Sequence, residues 1–244
     1  MKKMITALGA AILAQLASSS VQAQEGQLVL EEILVTASRR VESLQEVAMS
    51  VSAFSSDFFQ NAGVNDLAGL EQYTPNLKIT PGGTDSNGTS IRIRGIGSVG
   101  SNSGIDPSVG VFIDGIYQGR AGMSISDLVD IQRVEVLRGP QGTLFGRNTI
   151  GGLINITRSQ PTGELGGKLR AGIENYDTYY VDGVLNFGLT DNLAAKVTLA
   201  KRDQQEGFFD NATTGENNRG AVDYQSYGLN LMWTASDSLE LEFT

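Results

Sequence analysis

The stretch "IRIRGIGSVGSNSG", Ile91 to Gly104, has the residue types and spacing that most directly suggest chemistry. It contains Gly95-x-Gly97-x-x-Gly100, and Asp114 follows about twenty residues past the start of the glycines, the spacing of a dinucleotide fingerprint. In such a site the glycines let the backbone approach a pyrophosphate and the acid takes a ribose hydroxyl. The surrounding residues argue against it. A nucleotide-binding first strand is buried on both faces and reads as a continuous apolar run, whereas "SIRIR" alternates Ile91 and Ile93 with Arg92 and Arg94. The phosphates also need the N-terminal amides of a helix directly after the glycines. Gly104 and Pro107 in "SNSGIDPSVG" do not make that helix. A flexible polar loop at the rim of a sheet accounts for the glycines better.

Composition narrows the remaining chemistry. The 244 residues include no His and no Cys, which removes imidazole and thiolate metal sites, disulfides, and Ser–His or Cys–His nucleophile pairs. Acids are plentiful, yet no pair sits in a context suited to general acid–base work. The expectation is a non-enzyme with no cofactor and no metal site. A formal charge of −9 argues against nucleic acid as a partner, because phosphate binding needs a cationic face.

The elements that carry these residues begin with an export signal. "MKKMITALGAAILAQLASSSVQAQ" has a basic start at Lys2 and Lys3, an apolar run from Met4 to Leu16, and a small-residue site at Val21-Gln22-Ala23. The pattern predicts cleavage after Ala23, and the apolar run is too short to span a bilayer comfortably. Losing Lys2 and Lys3 leaves 16 basic against 27 acidic residues, a charge of −11. From residue 24 to 46 the chain reads as a polar tether carrying one extended segment, "LEEILVTASRR".

Residues 47–160 read as a small α+β domain. "SSDFFQNAG" opens on Ser55 and Ser56 as caps and closes on Gly63, a short helix. "NDLAGLEQYTP" is capped by Asn65 or Asp66 and stopped by Pro75, a second helix. "VAMSVSAF", "NLKIT", "SIRIR", "VGVFID", "DIQRVEVLRG" and "LINITR" read as strands divided by glycine-rich loops.

From residue 161 to 244 the pattern switches to strict two-residue alternation. Leu169, Ala171 and Ile173 alternate with Lys168, Arg170 and Glu174; Val181 and Leu185 with Asp182 and Asn186; Val197 and Leu199 with Lys196 and Thr198. "YGLNLMW" and "LELEF" continue it, making about five strands. Tight turns at residues 190–192 and 236–238 contrast with a long polar loop over residues 204–223. This is the signature of an antiparallel transmembrane β-barrel; a soluble β-sandwich, whose strands alternate too, is the alternative. Five strands cannot close, since bacterial barrels need at least about eight. The chain is therefore expected to be the first part of a longer barrel protein or a truncated product, its barrel incomplete at Thr244.

Three motifs carry a resemblance. "EEILVTASRR" is similar to the TonB box of TonB-dependent outer-membrane receptors, "VLRGPQGTLFGRNTIGGLINITR" resembles the closing stretch of that family's plug domain, and "SIRIRGIGS" resembles its inner arginine-glycine strand. The resemblance implies a plug domain inside a barrel in the bacterial outer membrane, contacting outer-membrane lipid and admitting a small-molecule ligand such as a ferric siderophore. It implies the TonB protein of the inner-membrane energy complex as partner, met through Glu32, Ile33, Leu34, Val35, Thr36 and Ala37. An extended, aliphatic segment of that kind can add as an edge strand to a partner's sheet, which requires it to be unpaired when free; a first strand of the plug itself is the other reading of these residues. Arg94 and Arg138 match the two plug arginines that pair with barrel glutamates, with partners expected past Thr244. The polar loops 81–89, 95–104 and 117–122 would meet the ligand through Asp85, Asn87, Ser101, Asn102, Tyr117, Gln118 and Arg120. A soluble periplasmic binding module with no transport role is the competing function.

Overall fold

The chain is described here by a computed structural model covering residues 34–36, 40, 42–64, 66–80, 89–98, 104–119, 129–208, 212–215, 217, 220–236 and 238–244. The expected signal segment and most of the tether lie outside these residues.

"IQRVEVLR" places Val134 and Val136 on one face of a strand and Arg133, Glu135 and Leu137 on the other. Both faces are covered, so this strand, β8 (Ile131–Arg138), becomes the axis of the first domain. It pairs antiparallel with β3 (Ser50–Ser55) on one side and β9 (Gly152–Arg158) on the other. β9 runs parallel to β6 (Val109–Ile113), which is edged by β7 (Ile116–Tyr117), giving the order β3-β8-β9-β6-β7. On the first face Val134, Val136, Ile154 and Ile156 pack with Phe59, Leu67 and Leu70. On the second, Leu137 and Leu153 pack with Phe112 and Val35.

The helix α1 (Ser56–Ala62) has the expected ends: the Ser55 hydroxyl accepts the Phe58 N–H at 3.4 Å, and Gly63 closes it in the left-handed region. The second expected helix is instead a 3-10 turn, Ala68–Gln72, started by Asp66 Oδ1 accepting the Gly69 N–H at 2.8 Å. Pro75 disfavours the α region at the residue before it, so no full α-helix develops in the short interval. β4 (Leu77–Thr80) and β5 (Ser90–Ile93) form a separate antiparallel pair whose Leu77, Ile79, Ile91 and Ile93 enter the first core.

The second region is a meander of five antiparallel strands in chain order: β10 (Gly166–Glu174), β11 (Thr178–Thr190), β12 (Leu193–Gln204), β13 (Asp223–Ser236) and β14 (Leu239–Phe243). Register aligns Leu185, Val197 and Leu229 across β11, β12 and β13, and likewise Asn186, Lys196 and Asn230. The apolar row faces away from the first domain: Leu169 is 78%, Ile173 79% and Leu229 55% exposed. The polar row faces inward, with Lys196 at 0% and Asn230 at 2%. Tyr179 and Tyr227 stand on the outer face toward the long-loop end, Trp233 and Phe243 toward the tight-turn end. A sheet with its oily face outward and aromatics at both rims is built for lipid. The five strands form an open sheet.

Candidate functional site

The glycine fingerprint resolves first. Arg94 and Gly95 occupy a two-residue turn between Ile93 and Ile96, which exchange backbone hydrogen bonds at 3.0 Å. Both central residues have positive φ, 54° and 79°, the geometry of a primed hairpin turn that glycine relieves. A Cβ on Gly97 would collide with the Ile91 carbonyl. These glycines shape a hairpin, and among the described residues no helix follows before β6.

The segment expected to be free is docked. β1 (Leu34–Val35) pairs antiparallel with β2 (Glu42–Ser43), and Val35 is buried among Phe112, Leu137 and Leu153. The unpaired state required of it by the sequence reading is therefore not the state seen. The Thr36 N–H donates to Glu135 Oε1 at 2.7 Å, and its hydroxyl lies 3.2 and 3.3 Å from the two carboxylate oxygens. Glu135 has no exposed surface; Arg133 Nε meets its Oε1 at 2.6 Å and Asn155 Nδ2 its Oε2 at 3.3 Å. Glu32, Ile33 and Ala37 lie outside the described residues.

Arg94 and Arg138 come to the same edge of the plug. Gly139 follows Arg138, and a Cβ on it would stand 3.7 Å from Arg94 Nη1. The Arg138 Nε donates to Ser50 Oγ at 3.0 Å and its Nη1 to the Pro75 carbonyl at 3.4 Å. Neither arginine has a carboxylate within ion-pair distance among the described residues.

The contact between the two regions is a feature the sequence did not reveal. Lys196 of β12 reaches across to Asp130 as an ion pair and donates to the Ser159 carbonyl, with Ser159 Oγ 3.3 Å away. Ser159 in turn donates to Asp130 Oδ1. Its place on the polar row marked Lys196, but nothing in the sequence pairs it with a residue 66 positions earlier. Further along the inner wall, Arg202 grips Glu174 at 2.9 and 3.1 Å and lies over the Tyr180 ring at 5.6 Å, while Arg170 pairs with Asp182 at 2.7 Å. A cavity of about 190 Å³ separates wall and plug, lined by Ile131, Ile156 and Arg158 on one side and Thr198, Ala200 and Ser226 on the other.

Of the expected ligand contacts, Asp85, Asn87, Ser101, Asn102 and Arg120 lie outside the described residues. Tyr117 packs against the Phe112 ring at 5.5 Å, and its hydroxyl accepts from Asn148 Nδ2 at 2.8 Å. Gln118 Nε2 donates to the Ile116 carbonyl on its own arm of the hairpin at 3.2 Å, and its backbone N–H donates across to the Val111 carbonyl at 2.8 Å.

A small mixed-sheet domain held against the polar face of outward-apolar strands defines the class: a plugged outer-membrane receptor. Residues 43–153 match the family described as TonB-dependent Receptor Plug Domain. The chain is 31% identical over 216 residues to the pesticin receptor of Yersinia enterocolitica, covering 88% of this chain and 31% of that one. It is 28% identical over 181 residues to the ferripyoverdine receptor of Pseudomonas aeruginosa, covering 70% and 20%. The structure of the ferric yersiniabactin uptake receptor FyuA from Yersinia pestis superposes with a TM-score of 0.71 at 30% identity, over 80% of this chain and 30% of that one. The chain belongs to the TonB-dependent receptor family of the outer membrane. It spans about a third or less of the length of these relatives, which are receptors rather than enzymes.

Proposed function

We propose that the chain serves ligand-gated, energy-coupled uptake across the outer membrane, with the plug as gate and a ferric siderophore as ligand. The similarity of plug and wall together to a ferric yersiniabactin uptake receptor at 30% identity carries this reading. A soluble module would have to cover the apolar wall face with a second sheet, as a sandwich does, and among the described residues nothing covers that face.

In this reading residues 32–37 form the TonB box, taken as an added strand by the TonB protein, main-chain hydrogen bonds supplying the affinity. Arg94 and Arg138 hold the plug to carboxylates on the wall, a charged contact that seats a domain yet lets it move. Asp85, Asn87, Ser101, Asn102, Tyr117, Gln118 and Arg120 meet the ligand on adaptable loops.

The test uses iron-starved cells carrying the receptor and a ⁵⁵Fe-loaded siderophore. Val35→Pro removes a main-chain donor from the segment and is expected to abolish uptake while surface binding persists. Uptake that survives collapse of the inner-membrane proton gradient would defeat the energy coupling. Binding lost in step with uptake would defeat the role given to the segment.

A further inference from the structure

The inner wall carries a charged hollow that none of the roles above uses. Across β10 to β13 one row reads Gly172, Tyr180, Arg202 and Tyr224, and the next reads Arg170, Asp182, Ala200 and Ser226. Both rows face inward, as Lys196 does, and lie toward the long-loop end, which is the outer end of an outer-membrane barrel. Between them opens a hollow of about 40 Å³, lined by Arg170, Tyr180, Arg202 and Tyr224 and bounded on the plug side by Val129. At about 10–15 Å³ for each water-sized group, it has room for about three, the heavy-atom count of one carboxylate. A whole iron chelate does not fit in it.

The two guanidiniums differ. Arg202 is engaged by the wall: Nη1 and Nη2 meet Glu174 at 2.9 and 3.1 Å, and its Cζ lies 5.6 Å over the Tyr180 ring. Tyr180 lies across Gly172, where a Cβ would stand 2.6 Å from the phenol oxygen. The glycine thus gives the ring a place on the wall and leaves the hollow open. Arg170 gives only its Nε, to Asp182 Oδ2 at 2.7 Å, and among the described residues neither of its Nη groups has a partner. That Nη edge is a two-pronged donor matched to a carboxylate. An ion pair that only joined β10 to β11 would need neither the free edge nor the hollow beside it.

We propose that this hollow binds one carboxylate of an incoming solute, with the Nη edge of Arg170 as donor and Asp182 orienting that guanidinium through Nε. Asp182 also moderates the site, because its charge opposes the arriving carboxylate and keeps the contact reversible. The carboxylate site stands on the geometry of the wall. Its solute class, an iron chelate carrying a free carboxylate, rests on the uptake reading proposed above.

The test uses two nitroxides of one shape, carboxy-PROXYL and carbamoyl-PROXYL, which differ in a carboxylate against a neutral amide. The chain contains no cysteine, so a trifluoromethyl label on Asn175→Cys, in the exposed turn after β10, reports from the rim of the hollow. Paramagnetic broadening of its ¹⁹F signal is measured on the receptor in nanodiscs. The carboxylate is expected to act at about one-tenth of the concentration the amide needs, the effect of a hydrogen bond to a charged group. Arg170→Gln is expected to bring the two nitroxides level. Arg170→Lys, which keeps the charge without the fork, retains part of the preference. Asp182→Asn removes the resident negative charge and is expected to raise the preference, a gain that misfolding does not produce. Equal broadening in the parent, an unchanged preference in Arg170→Gln, or a lowered one in Asp182→Asn overturns the site. Binding of ⁵⁵Fe to the same samples is then compared between ferric citrate, which carries free carboxylates, and iron tris(acetohydroxamate), which is neutral. Iron from citrate is expected to bind in preference, and Arg170→Gln to reduce it to the hydroxamate level. A nitroxide preference without that iron preference leaves the carboxylate site standing and overturns the iron chelate as its solute.

Discussion

The plug and the wall use the same residue types in opposite directions. In the plug, Val134, Val136, Leu137 and Leu153 are sealed inside, and exposed positions such as Lys78 are charged. In the wall, Leu169, Ile173 and Tyr227 are more than two-thirds exposed while Lys196 and Asn230 are buried. Each region obeys the same rule, that apolar area leaves water, but their solvents differ: the plug supplies its own core, and the wall takes hydrocarbon in place of one. The boundary between them is thus polar on the wall's side, and a domain resting there is held by hydrogen bonds and ion pairs.

The largest expected effect lies on that boundary. Asp130→Ala strands the Lys196 ammonium in a site with no exposed surface, and removing one member of a buried pair costs about 3–5 kcal/mol. Lys196→Met added to Asp130→Ala is expected to restore most of that loss, since a pair replaced by apolar atoms is often nearly neutral. Urea unfolding of the receptor in lipid vesicles measures both. A single variant as stable as the parent would mean that plug and wall are not joined there.

The next effect tests the wall's solvent directly. Leu229 lies mid-strand on the outer face, in register with Val197, whereas Gln225 on the same face lies opposite Lys201 near the long loop. Leu229→Arg is expected to cost about 2–4 kcal/mol and Gln225→Arg about 0–1 kcal/mol, the depth dependence of a charge on a lipid-facing strand. Equal costs would break the comparison, because water treats the two positions alike.

What the sequence made legible follows from the same contrast. Alternation is local, so the five wall strands, their faces and their turns could be read from "GGKLRAGIE" to "LELEF" one residue at a time. The α1 caps, Ser55 and Gly63, were legible for the same reason. Contacts across long separations were not. Thr36 and Glu135 meet over 99 residues, and each alone looks ordinary: a threonine in a β-prone run, and a glutamate at an alternate position of a strand. "LEEILVTASRR" announced an extended segment, of which Leu34–Val35 is a strand, but where the Thr36 donors go is decided by a carboxylate that only the folded plug brings to them.

The smallest effect concerns an ion pair in the opposite setting to Lys196 and Asp130. The Glu71 carboxylate takes Lys78 Nζ at 2.7 Å and the Ile79 N–H at 3.1 Å, with the Lys78 side chain 60% exposed. The Lys78 hydrogen bond first, and the Ile79 N–H second, hold the Glu71 pKa below its ordinary 4.5 against a smaller opposing effect of burial. A depressed folded pKa contributes stability that is present above 4.5 and lost as pH falls through the lowered value. Glu71→Gln should therefore flatten part of the acid limb of an unfolding curve below that point. At neutral pH it should cost under about 1 kcal/mol, because water screens an exposed pair. Raising salt should weaken the Glu71 contribution and leave the Asp130→Ala penalty nearly unchanged, since mobile ions reach the first pair and not the second. Equal salt sensitivity in the two variants would show that water reaches Lys196 as readily as Lys78, and the wall would then have no dry face toward the plug.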